Sequence, residues 1–310
     1  LTLAGWLKDQ GVGPGDRVAA YTPNNVEAVI AMLATASLGG VFSCCSPDFG
    51  LNGVYDRFGQ IEPKILIGCD GYHYAGKAIN RIDVLTALAE KLPTIKTVLV
   101  IGYLSAHPDF SHLPNAVLYD QALASASPIT QFQRMSFNAP LYILYSSGTT
   151  GAPKCIVHGI GGTLIQHIKE HRLHSNLTAG DTFFYFTTCG WMMWNWLVSG
   201  LASKAHILLY DGNPTFPGPD RLWRLAESEK ISIFGTSAKY IDAIKNSGFV
   251  PVENVDLSNL QSILSTGSPL SSDGFAFVYE AIKQDVQLCS ISGGTDIVSC
   301  FVLGCPVFVL

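Results

Sequence analysis

The chain has 310 residues, 48% of them apolar and only 14% charged, enough to bury a full core and too apolar for a disordered protein. Its net charge of −5 removes the basic surface that nucleic acid demands, although a small phosphate site made from backbone N–H groups stays open. Eight cysteines without a C-x-x-C pair, several inside apolar runs, argue against a stapled secreted scaffold and for reduced thiols in the cytosol.

The opening "LTLAGWLKDQGVGPGDR" has no basic segment followed by an apolar one, so no signal peptide is read there. It lacks an initiator methionine and already reads as helix over 1–10, which leads us to expect a fragment of a longer protein. The strand "RVAAYT" follows, then a helix from about 25 to 38 capped by "PNN", then the strand "VFSCC". Residues 28–45 are apolar enough to raise a membrane span. Their Thr, Ser and Gly39-Gly40 instead favour a buried helix that runs into a strand, without membrane insertion. "KILIGC", a helix over 82–91 and "KTVLVIG" continue the pattern. The polar, Pro- and Ser-punctuated stretch 103–136 sets a soft boundary near 130, between a first α/β subdomain (1–130) and a second (131–310). Beyond it come "PLYILYSSG", a helix over 160–174, "DTFFYFT", a helix near 191–202 and "AHILLY". A helix at 219–229, "ISIFGTS", a helix around 237–247, "LQSILSTGSPL", a helix at 271–283 and "VQLCSISGGTD" complete the series. Short apolar runs alternating with amphipathic helices predict an α/β fold of mostly parallel sheets flanked by helices.

Chemistry concentrates in "SSGTTGAPK" (146–154), a loop between the strands "LYILY" and "CIVHG". It fails the Walker pattern, because Gly148 and Gly151 are three apart and Cys155 follows the lysine. It still suits phosphate: glycines let backbone N–H groups form an anion-binding concavity. Ser146, Ser147, Thr149 and Thr150 add hydroxyls, and Lys154 adds a point charge. A plain hairpin turn is the alternative.

"YSSGTTGAPKCIVH" resembles the phosphate-loop signature of the adenylate-forming ligases, which include acyl-CoA synthetases, luciferases and nonribosomal adenylation domains. "STGSPL" (265–270) is similar to that family's adenine-lining segment, and "SISGGTDI" (290–297) to its strand-end motif. The strings "SPDFG", "CGWMMWNW" and "SGGTD" narrow the resemblance to members that activate acetoacetate, in ketone-body and lipid metabolism. The resemblance implies the family's large N-terminal domain, here without the family's small C-terminal domain. It implies ATP, Mg2+ and coenzyme A as reactants, and an acyl-AMP that the CoA thiol then resolves. It assigns Ser146, Ser147, Gly148, Thr149, Thr150, Gly151 and Lys154 to the β- and γ-phosphates. Gly267, Ser268 and Pro269, with Ser292, Gly293 and Gly294, go to the adenine, and Thr295 to the α-phosphate. Thr295 and Lys154 carry the catalytic roles. Asp296, where the family usually has Glu, goes to Mg2+, with a helix N-cap as its alternative. Because the ribose-binding aspartate and the C-terminal lysine fall outside this sequence, weak ATP binding and inefficient synthesis are expected of the chain alone.

"TTCGWMMWNW" (187–196) reads as the acyl pocket, with Trp191, Met192 and Met193 as walls and Asn195 as a partner for the 3-oxo group. A Trp/Met stripe in a helix core is the alternative. Other short acids, acetate or butyrate, remain open as substrates, as does a nucleotide binder without activity. A reading from another class comes from "HIKEH" (167–171), which fits H-x-x-E-H and would make His167 and His171 zinc ligands of a hydrolase. The polar helix around them favours a solvated or interdomain face instead.

Overall fold

The computed structural model describes residues 1–146 and 151–307. The chain folds as two compact units, one of 1–163 with 188–191 and one of 164–187 with 192–310.

In the first unit, α1 (Thr2–Asp9) leads into β1 (Arg17–Tyr21), α2 (Val26–Ser37) and β2 (Val41–Cys45). Then come α3 (Leu51–Ile61), β3 (Ile65–Cys69), the hairpin β4 (Gly71–Tyr74) and β5 (Lys77–Asn80), α4 (Ile82–Lys91) and β6 (Thr97–Ile101). The series ends with β7 (Ala116–Leu118), α5 (Tyr119–Ser125), β8 (Pro140–Ser146) and β9 (Lys154–Gly159). A seven-stranded sheet runs β7-β6-β3-β1-β2-β8-β9, and only its β8–β9 pair is antiparallel. Its central strands β2 and β3 are buried at every position because a parallel sheet is covered on both faces. Asn25 caps α2 by accepting from the Ala28 amide at 3.0 Å. Residues 28–45 form helix, turn and strand as the sequence suggests, and no helix among the described residues is long and apolar enough to cross a membrane.

The polar stretch 103–136 lies inside this unit rather than marking its end. Buried Asp70 holds the start of the stretch by accepting from the backbone amides of Tyr103 and Leu104 at 2.8 Å and Ser105 at 3.0 Å. After it β8 returns to pair with β2, with Phe42 opposite Tyr142 and Ser43 opposite Ile143. The division anticipated near 130 therefore falls between Thr163 and Leu164, within α6 (Ile160–Lys169).

The second unit continues from α6 through a π-helical turn, Glu170–His174, to β10 (Thr182–Tyr185), α7 (Met192–Ser199) and β11 (His206–Leu208). α8 (Arg221–Ser228), β12 (Ile233–Ser237), α9 (Ala238–Ser247), α10 (Pro251–Asn254) and β13 (Ser262–Thr266) follow. The last elements are α11 (Ser272–Phe277), a second π-helical turn Val278–Ile282, and β14 (Gln287–Ser290), β15 (Ser292–Gly294) and β16 (Ser299–Val302). Five parallel strands run β11-β10-β12-β13-β14, and β15 and β16 form a separate antiparallel hairpin. Trp223 stacks on Phe234 with ring centroids 4.8 Å apart, in a core shared with Ile241, Ile263 and Val278. All eight cysteines are free.

Gly235 in β12 has no room for a side chain, because an added Cβ would lie 2.0 Å from the fully buried Tyr185 ring. Gly235→Ala is expected to destabilise the second unit by about 2–3 kcal/mol through overpacking. Urea unfolding checks it; an unchanged midpoint would show that the Tyr185 ring can move.

Candidate active site

β8 and β9 pair antiparallel as far as Ser146 opposite Lys154, the two ends of the hydroxyl- and glycine-rich segment. Ser147, Gly148, Thr149 and Thr150 lie outside the described residues. Of the rest, Gly151 and Lys154 are exposed and Ser146 is half-buried. Gly151 has open space around the position of a Cβ, and Gln60 donates to the Pro153 carbonyl at 2.8 Å, tying the loop to α3.

In the second unit the two glycine segments meet. β13 and β14 are parallel neighbours, with Ser265 opposite Ser290, and both chains turn outward at their carboxyl ends. That edge of a parallel sheet is where open α/β folds place ligands. Gly267, at φ +87, makes the turn out of β13, and exposed Ser268 and Pro269 follow. The Ile291 amide donates to the Ser265 carbonyl at 2.7 Å, and the Thr266 hydroxyl donates to the Ile291 carbonyl at 3.2 Å. These bonds, with the Leu270 amide donating to Ser290 Oγ at 3.3 Å, hold the Gly267–Pro269 turn beside Ser290 and Ile291, where the 292–296 segment begins. Ser292, Gly293 and Asp296 are exposed, and Gly294 and Thr295 are partly so.

Asp296 sits in the turn between β15 and β16, where the Val298 amide donates to the Thr295 carbonyl at 3.2 Å. No helix starts there, so the N-cap alternative fails and the carboxylate points to another use. A single exposed carboxylate suits Mg2+, which keeps several waters and takes its other oxygens from phosphates.

The segment 187–196 splits between the two readings. Trp191 is 63% exposed and belongs to the first unit, where Cys189 contacts the Pro23 carbonyl. Met192 and Met193, at the start of α7, are half-buried against the cluster of Leu177, Phe183, Tyr185 and Trp196. Trp194 and Trp196 are core residues, which is the stripe the alternative foresaw. Asn195 is only 3% exposed, yet its Oδ1 has no hydrogen-bond partner.

His167, Glu170 and His171 overturn the expectation of a solvated face: all three are buried. Each histidine bonds to the protein through at least one ring nitrogen. His167 Nε2 donates to the Val298 carbonyl at 2.9 Å and its Nδ1 meets Ser199 Oγ at 3.0 Å. His171 Nε2 lies 3.0 Å from the Trp196 carbonyl and 2.8 Å from Ser199 Oγ. His174 Nδ1 donates to the Gly304 carbonyl at 2.9 Å. Carbonyl and hydroxyl oxygens hold both ring nitrogens of His167 and the Nε2 of His171, leaving only His171 Nδ1 buried without a protein partner, so H-x-x-E-H is a structural cluster here. No group of three or more His, Cys, Asp or Glu among the described residues is placed to hold a metal. Periodicity hid this arrangement, because the partners of residues 166–174 come from 25 to 133 positions away.

Comparison with known proteins agrees with this geometry. The profile of the AMP-binding enzyme family matches residues 1–306. The chain is 55% identical over 309 residues to the acetoacetyl-coenzyme A synthetase of Rhizobium meliloti (strain 1021), covering 97% of this chain and 46% of that protein. It is 49% identical over 301 residues to the acetoacetyl-CoA synthetase of Gallus gallus, covering 95% and 45%. The solved acetoacetyl-CoA synthetase of Streptomyces lividans superposes with a TM-score of 0.93 at 44% identity, over 98% of this chain and 47% of that one. The chain thus spans about half the length of the curated relatives it matches.

Proposed function

The chain belongs to the AMP-binding enzyme family, and from that premise we propose that it serves the ATP-dependent activation of acetoacetate to acetoacetyl-CoA. In this reading the acetoacetate carboxylate attacks the α-phosphate of ATP. The acyl adenylate forms as pyrophosphate leaves, and the CoA thiol then displaces AMP. Charge builds on phosphoryl oxygens, so the protein contributes placed donors and cations rather than a nucleophile.

What supports the reading most is the meeting of Gly267–Pro269 with Ser292–Asp296 at the carboxyl ends of β13 and β14. Ser292, Gly293 and Gly294 would lie along the adenine with Gly267, Ser268 and Pro269. Thr295 would donate to the α-phosphate, and Asp296 would hold Mg2+, which when bound neutralises phosphate charge. The hairpin from Ser146 to Lys154 would take the β- and γ-phosphates. The choice of acetoacetate rests on the activity named for the relatives. Met192, Met193 and Asn195 in the second unit are the proposed acyl contacts, and Trp191 is carried over from the resemblance alone. A ketone oxygen only accepts, so the amide nitrogen of Asn195 is the atom suited to the 3-oxo group. Free cysteines suit the reducing cytosol.

Calorimetry with Mg-ATP tests the nucleotide half. Lys154→Ala is expected to weaken binding about tenfold or more, the worth of one charge-assisted contact. Pyrophosphate release with acetoacetate, acetate, 3-hydroxybutyrate and butyrate tests the acid, with acetoacetate expected to stimulate most. Mg-ATP binding without any acid-dependent release would favour a nucleotide binder that is not an enzyme. No binding at millimolar Mg-ATP would sink both.

A further inference from the structure

The H-x-x-E-H segment plays no part in the reading above, yet it carries the most heavily hydrogen-bonded carboxylate among the described residues. Glu170 is 1% exposed and stands on the π-helical turn after α6. Its Oε1 accepts from Ser299 Oγ at 2.5 Å, Gln166 Nε2 at 2.9 Å, Cys300 Sγ at 3.2 Å and the Cys300 amide at 3.3 Å. Its Oε2 accepts from Trp196 Nε1 at 2.9 Å. Gln166 also donates to Ser299 Oγ. With His167 on the Val298 carbonyl and His174 on the Gly304 carbonyl, successive turns of one helix grip the chain at 298, 299, 300 and 304.

A second observation shows what the grip opposes. Val298 is buried and sits at φ +48, a left-handed conformation that a β-branched side chain resists. Such a residue persists only where its surroundings over-determine it. It closes the turn that carries Thr295 and Asp296, and its carbonyl is the one His167 holds. If the grip slackened, Val298 would return to negative φ and the turn would swing.

We propose that Glu170 and His167 are positioning residues for nucleotide: they pin the strained Thr295–Val298 turn so that Thr295 and Asp296 stay in place for the phosphates. This rests on the nucleotide site proposed above. The two sides of the carboxylate separate positioning from mere support. Ser299→Ala and Glu170→Gln loosen the hairpin side. Trp196→Phe removes the donor from α7 and part of the ring packed on His171 and Phe183, but leaves the hairpin bonds.

The experiment measures Mg-ATP affinity, melting temperature and amide exchange at 292–298 for the chain and these three variants. Ser299→Ala and Glu170→Gln are expected to weaken Mg-ATP binding about tenfold to a hundredfold, the range of one lost charge-assisted hydrogen bond. Both should speed exchange at 292–298. Trp196→Phe should lower the melting temperature while holding affinity within about twofold. Equal weakening by Ser299→Ala and Trp196→Phe, or unchanged affinity in Ser299→Ala, would overturn the proposal. If the unaltered chain binds no Mg-ATP, the proposed function fails, and amide exchange then decides the brace. Faster exchange at 292–298 in Ser299→Ala than in Trp196→Phe upholds it, and equal rates overturn it.

Discussion

Acidification from pH 6.5 to pH 5 is expected to cost the fold about 2 kcal/mol, and continued acidification to pH 3 about 4 kcal/mol in all, from one histidine. His171 is fully buried, with its ring centroid 4.3 Å from Trp196 and 5.3 Å from Phe183. Burial lowers its pKa from 6.5 to about 3, helped by neighbouring His167 and opposed by the Trp196 carbonyl and the Glu170 charge. The folded value lies below the unfolded one. Below pH 6.5 the unfolded chain therefore takes up a proton that the folded chain refuses, and stability falls until pH reaches about 3. Glu170 works in the same direction. Burial alone would raise its pKa, but the donors from Ser299, Cys300, Gln166 and Trp196 outweigh that and hold it below the ordinary glutamate value. Its contribution is complete above that ordinary value and is lost as pH falls through the lower folded one.

Denaturant midpoints from pH 7 down to pH 4.5 measure the effect, with His171→Phe as the comparison. The variant loses the bonds to Ser199 and the Trp196 carbonyl, so its absolute stability drops. The slope is the informative quantity: it should flatten by nearly one proton between pH 6 and pH 4.5. A slope shared by both proteins would mean that His171 does not titrate as the burial requires.

The same histidine shows where the sequence stops being readable. Parallel strands such as "KILIGC" and "ISIFGTS" stand out as unbroken apolar runs, because both faces of such strands are covered. The segment 265–270 stands out because Gly267 makes a left-handed turn that few other residues tolerate, and 290–297 because of its adjacent glycines. Burial of His167, Glu170 and His171 has no such local mark. Their partners Val298, Ser299 and Cys300 lie about 130 residues downstream, and a helix whose polar side chains are satisfied at that distance looks solvated from its own sequence. The β4–β5 hairpin escaped for the opposite reason. "GYHYAGKAIN" is short, polar and partly exposed, and carries little hydrophobic alternation. The stretch 103–136 looked like a boundary because its polarity is real; what anchors it is one buried aspartate and the return of β8 to the sheet.

Two adjacent glycines in the β15–β16 hairpin are expected to respond differently to the same methyl group, and the contrast tests the nucleotide assignment. At Gly293 an added Cβ would lie 2.3 Å from the Ser299 carbonyl oxygen and 2.7 Å from Cys300 Cα. Both atoms are backbone and Glu170 fixes that strand from the other side, so neither can give way cheaply. Gly293→Ala should cost about 1–3 kcal/mol by overpacking. By prising β15 from β16 it should also weaken Mg-ATP binding well beyond about tenfold. At Gly294 nothing lies within 4 Å of the added atom, and its backbone is not left-handed. Gly294→Ala should therefore leave stability within about 0.5 kcal/mol of the unaltered chain. If nucleotide packs against this backbone, the methyl group occupies its space, and affinity should still fall about tenfold. Stability held and affinity lost is the signature of a glycine kept bare for a ligand. Stability and affinity both held would remove Gly294 from the site and shift the adenine toward Gly267 and Ser268.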